Sequence, residues 1–168
     1  MSDSATSWEL RLAELWASLP DSQPDAFRSG MEALVSELPE GAAIGLFELG
    51  SAQDSTGHSE MAVPLYRAAL AAGLSGLRRR RATIQLASSL RNIGESAGAA
   101  ALLEKEAQHA PDELSGAVNA FWALALSDLG REREALGLAL LALSEHLPRY
   151  NASLGRYAAE LILKAPSA

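Results

Sequence analysis

The residues most able to do chemistry in this chain are arginines. Arg81 and Arg91 stand ten residues apart, just under three helical turns, so one helix would carry both on nearly the same face. Gln85 and Ser88 lie between them and could donate to a peptide backbone. Guanidinium forks grip carboxylates in bidentate geometry, which suits an acidic segment or a free C-terminus. The competing reading is that the arginines only pair with acids on neighbouring helices, with Asp54, Asp128 and Glu160 as partners. Catalytic signatures are absent: there is no phosphate loop, no Gly-x-Ser-x-Gly elbow and no His-Glu-x-x-His. With no cysteine, there is no thiolate nucleophile, disulfide or thiolate metal site. His58, His109 and His146 are scattered over a turn and two helix ends, where polar capping explains them better than metal binding. No catalytic residue, metal or cofactor is expected.

The elements that would position these arginines follow from composition and period. Hydrophobic residues make up 48% of the 168 residues and aromatics 5%. Ala and Leu dominate while Val and Ile are scarce, which favours an all-helical fold. A net charge of -7 argues against nucleic acid or anionic lipid as a partner. The run Arg78 to Arg81 does not change that, and reads as an exposed loop and helix start balanced by Glu60 or Glu95. The start of the chain lacks the pattern of a signal peptide, and the longest apolar run, Ala135 to Leu143, is about half the ~20 residues of a membrane span. A cytoplasmic location is expected. Twelve Arg against two Lys suggests GC-rich coding and hence a bacterial source.

Glycine and alanine then recur at a fixed distance. Gly57, Gly94 and Gly130 are 37 and 36 residues apart, and Ala62, Ala99 and Ala135 keep the same step. Each copy reads as a helix, a glycine turn and a second helix. The alanines stay small because the two helices approach closely, and Leu there would overpack the contact by roughly 1–3 kcal/mol. The helix pairs are expected at 42–74, 78–111 and 112–148, with a degenerate pair at 8–39 and a capping helix at 149–164. Ser7 is expected to cap the first helix, Ser22 with Pro24 and Asp25 to start the second, and Pro111-Asp112-Glu113 to start the third copy. All 168 residues are read as one domain.

Leu49-Gly50, the glycine turn, Ala62 and then Tyr66 resemble the tetratricopeptide repeat pattern, with Pro111 in the place of its closing proline. Copy two carries Leu86-Ala87 in the Leu-Gly slot and copy three Trp122-Ala123. The match is good over 44–148 and weak over 8–39, and the whole resembles small stand-alone bacterial members. Two departures stand out: the period exceeds 34, and Glu106 fills a slot that wants a small residue, so that it either snorkels outward or loosens the packing. The resemblance implies a right-handed all-α solenoid and protein–protein interaction rather than catalysis. It also implies that the first helix of each pair lines a concave groove.

On that reading the groove lining is Phe47, Asp54, Arg81, Gln85, Ser88, Arg91, Phe121 and Arg156, with Arg11 from the degenerate pair. The expected function is a non-catalytic scaffold that binds a protein or peptide segment, acidic where the arginines meet it. The alternative is a self-assembling homodimer without a peptide ligand. It is motivated by the helix Ala135 to Leu143, which is apolar nearly all round, with Leu138 and Leu141 as the self-association patch unless the capping helix covers them.

Overall fold

The computed structural model describes residues 2–163, with side chains from Ser7 onward. Among these residues there are α-helices, one short 3-10 turn (Leu19–Asp21) and no strand. The helices are α1 Ser2–Ala17, α2 Pro24–Val35, α3 Ala43–Ser55, α4 Ser59–Ala71, α5 Gly76–Asn92, α6 Ser96–Glu106, α7 Ser115–Asp128, α8 Glu132–Ser144 and α9 Asn151–Leu163. The end of the expected capping helix, Lys164, lies outside the described residues. Packing divides the chain into two compact units, residues 1–82 and 83–168.

The glycine period has a single backbone cause. Gly57, Gly94 and Gly130 sit at φ of 87°, 85° and 74°, a region that side chains with a Cβ disfavour. At each, the glycine N–H donates to the carbonyl three residues back, at 3.0 Å in all three copies. The next residue's N–H donates to the carbonyl five back: His58 to Gln53, Glu95 to Leu90 and Arg131 to Leu126, at 2.8–2.9 Å. This pair of bonds closes a helix end through a left-handed residue and reverses the chain. Gly94→Val should therefore cost about 1–3 kcal/mol of stability. Ser88→Val, in the body of α5, should stay within about 0.5 kcal/mol. Urea unfolding of the two variants measures the difference.

In the N-terminal unit α1 packs on α2, α2 on α3, and α3 on α4. The degenerate pair shares one core with α3, built on Trp8, Leu12, Phe27, Met31, Leu34 and Ala52, with Ile44 and Leu49 packed against it. The Trp16 and Phe27 rings meet tilted, with centroids 5.1 Å apart, and the Trp8 indole N–H donates to the Leu34 carbonyl at 2.9 Å. Tyr66 is fully buried and lies so close to Gly50 that a Cβ there would sit 2.9 Å from its ring. In the C-terminal unit α6 packs on α7, α7 on α8 and α8 on α9. Ala62 and Ala99 are fully buried and Ala135 nearly so, as close helix approach requires.

The helix starts differ from expectation. α1 begins at Ser2, so Ser7 is inside the helix and caps nothing. The residue before α2 is Gln23, while the Ser22 hydroxyl donates to the Ser18 carbonyl at 2.8 Å. α7 begins at Ser115 rather than at Pro111. The Asp112 carboxylate accepts from the Leu114 N–H and the Ser115 hydroxyl accepts from the Asp112 N–H, both at 2.9 Å, which holds this segment in a turn. Glu106 does not snorkel outward: it is 2% exposed, with His109 Nδ1 3.8 Å from its carboxylate.

Candidate functional site

The groove residues divide between the units: Phe47, Asp54 and Arg81 belong to the first, and Gln85, Ser88, Arg91, Phe121 and Arg156 to the second.

Phe47 is not a lining residue. It is fully buried, with its ring 6.2 Å from Tyr66. The buried residues of α3 (Gly45, Phe47, Glu48, Gly50, Ser51 and Ala52) cover well over half of its circumference, and the remaining sector holds Leu46, Leu49 and Gln53. An amphipathic reading assigns one face to the core and one to solvent. A helix packed by neighbours on both sides, as α3 is by α2 and α4, leaves only a narrow sector outside the core. Leu46 and Leu49 are only half-buried. Asp54, also half-buried, accepts from the Ser59 hydroxyl at 3.3 Å, across the glycine turn.

Arg81 is exposed, and its guanidinium lies over the Phe47 ring, 5.4 Å from the centroid. A cation over an aromatic face is held by the ring quadrupole while its N–H groups remain able to point elsewhere. Arg78, three residues earlier, behaves differently. It pairs with Glu9 at 2.6 Å and Glu48 at 3.3 Å, not with Glu60 or Glu95. The arginine run starts a helix, and steps of about 100° send its members in different directions. Arg80 is buried, whereas Arg81 emerges.

Glu48 was not singled out from the sequence, although a carboxylate inside the apolar run Ile44 to Gly50 is a signal in itself. It is 3% exposed and accepts from the Trp16 indole N–H at 2.9 Å as well as from Arg78. Burial raises its carboxyl above the usual range, with Trp16 and Arg78 opposing that shift. With a folded pKa above the unfolded one, its contribution to stability is complete at low pH and is lost as pH rises through the raised value. Glu48→Gln should thus show a flatter dependence of stability on pH above the ordinary carboxylate pKa of about 4.3. Denaturant unfolding from acid to neutral pH reads this out.

In the C-terminal unit Arg91 pairs with Asp128 at 2.6 Å, and the Ser96 hydroxyl also donates to that carboxylate at 3.1 Å. Arg11, in the first unit, forms a bidentate pair with Glu37, both contacts at 2.6 Å. That bond holds the Glu37 carboxyl below its usual range. These two arginines already hold carboxylates of the same chain. Arg156 is exposed and lies over the neighbouring Tyr157 ring at 5.3 Å. Gln85, Ser88 and Phe121 are half-buried on α5 and α7.

The two leucines expected to form a self-association patch are largely covered. Leu138 is 5% exposed and Leu141 half-buried, because α8 is packed by α7 on one side and α9 on the other. Gly137 marks the contact with α9: a Cβ there would sit 2.6 Å from Ile162 Cγ1 and 2.9 Å from the Ala158 carbonyl oxygen. The exposed leucines of α8 are Leu136 and Leu143.

No described helix is long and apolar enough to cross a membrane, and no three His, Asp or Glu among the described residues are grouped as a metal site would need. No curated protein and no solved structure matches the chain. A family model described as tetratrico peptide repeat matches residues 43–161, well over half the sequence. That span runs from the first residue of α3 into α9 and takes in all three glycine turns, and it leaves out the degenerate pair. The chain belongs to the tetratricopeptide repeat family.

Proposed function

We propose that this protein is a non-catalytic interaction module that holds an acidic segment of a protein partner on the exposed side of α5. Membership in a repeat family of protein–protein interaction modules supports the general reading. The exposed guanidinium of Arg81, oriented by the Phe47 ring, supports the acidic one. Arg91 contributes by exchange: a partner carboxylate competes with Asp128, whose side chain is 37% exposed, for the same fork. Binding of this kind weakens as salt rises, since partly exposed charges are screened.

The two arginines should separate in a mutational test with a glutamate-rich peptide. Arg81→Ala lowers peptide affinity and leaves the melting temperature near wild type. Arg91→Ala lowers affinity and also removes the Asp128 pair, which costs up to about 1 kcal/mol, or roughly 2–4 °C. Unchanged affinity in both variants would show that the arginines serve only the fold.

A homodimer is the second reading, favoured by one observation. Leu124 and Leu136, 45% and 52% exposed, border an open apolar recess of about 450 Å³ between α7 and α8. Light scattering at micromolar concentration separates the two readings.

A further inference from the structure

The N-terminal unit carries a second recess, between the end of α2 and the start of α3, of about 350 Å³. Its apolar lining includes Val35 from the end of α2, Leu38 from the turn that follows, and Leu46 and Leu49 from α3, all four half-buried. Its rim carries the carboxylates of Glu32 and Glu40, both exposed. Among the described residues neither is held in an ion pair. The last turn of α2 contains no basic residue, so nothing in that turn offsets the negative end of its dipole. An apolar pocket beneath uncompensated negative charge has a definite complement: an apolar side chain flanked by cations.

We propose that this recess docks a basic protein segment, with one Leu-sized or Phe-sized side chain in the pocket and flanking Lys or Arg on Glu32 and Glu40. The recess shares no lining residue with the arginine face of α5 and takes a ligand of opposite charge. One protein of this kind can therefore hold two segments, an arrangement that suits a scaffold. Buried apolar area supplies the anchor, and the rim charges supply selection and a salt-dependent encounter.

The probe is a fluorescein-labelled peptide, acetyl-Gly-Lys-Lys-Leu-Lys-Lys-Gly amide, titrated by anisotropy against the full chain. Saturable binding in the micromolar range is expected. Replacing its central Leu with Gly should weaken binding roughly tenfold, as should Glu32→Gln with Glu40→Gln in the protein. Glu60→Gln with Glu113→Gln removes the same charge away from the recess and should leave affinity unchanged, as should Arg81→Ala. Methyl NMR of the complex should show shifts at Val35, Leu38, Leu46 and Leu49. Equal loss in the two glutamine pairs, or indifference to the central Leu, would mean general attraction to an acidic chain and would overturn the proposal. So would shifts confined to Leu124 and Leu136. A change in the free protein's mass on Glu32→Gln with Glu40→Gln would assign the recess to a second copy and overturn it too.

Discussion

Phe47→Ala should destabilise the protein by about 3–5 kcal/mol, among the largest effects of any single truncation here. The ring is fully buried, 6.2 Å from the Tyr66 ring and with the Arg81 guanidinium 5.4 Å from its centroid. Its loss opens a cavity that α3 cannot close, because Gly50 already brings α3 against the Tyr66 ring. The groove reading of this residue leads to the opposite outcome: weaker partner binding with unchanged stability. Guanidinium unfolding of Phe47→Ala distinguishes the two. A midpoint equal to wild type would return Phe47 to the surface.

Gly137→Val is the second. A Cβ at this position meets Ile162 Cγ1 at 2.6 Å, and also the Ala158 carbonyl oxygen at 2.9 Å and the Ile162 nitrogen at 3.3 Å. A side-chain end could rotate away, but backbone cannot move unless α9 shifts as a body. Overpacking of this kind costs roughly 1–3 kcal/mol, and the branched Val belongs at the upper end. Gly98→Ala is the control, since nothing lies within 4 Å of its Cβ position and its φ is ordinary. It should gain about 0.5–1 kcal/mol from helix propensity. Hydrogen exchange on Gly137→Val should show α9 losing protection before α3 and α4. Uniform loss through both units would mean that the α8–α9 contact is not local.

What the sequence made legible was whatever it encodes through a residue that no other can replace. Gly57, Gly94 and Gly130 had to be glycine at positive φ, so their period exposed the helix pairs directly. Ala62, Ala99 and Tyr66 kept their slots because the space around them is fixed. The helix starts were less legible because Ser7, Ser22 and Asp112 can each satisfy several local arrangements. The lining of α3 is less legible because burial wraps most of the helix and takes in Phe47. On α8 burial is one-sided, and it is the buried side that carries Leu138, while Leu136 and Leu143 stand on the exposed side. There the telling residue was Gly137, a glycine in mid-helix that reverses no chain and therefore marks a close approach. Glu48 shows the converse: a charge in an apolar run that looks like a surface residue is a buried acceptor for Trp16 and Arg78.

The claim that this chain is a protein-binding module is tested most directly by affinity capture from lysate of the source cell. Wild type and Arg81→Ala are run side by side, at low and raised salt, with identification by mass spectrometry. A partner protein should be retained near stoichiometric yield by wild type, released as salt rises and depleted on Arg81→Ala. Recovery of the protein alone, in both forms and at both salt concentrations, would contradict it.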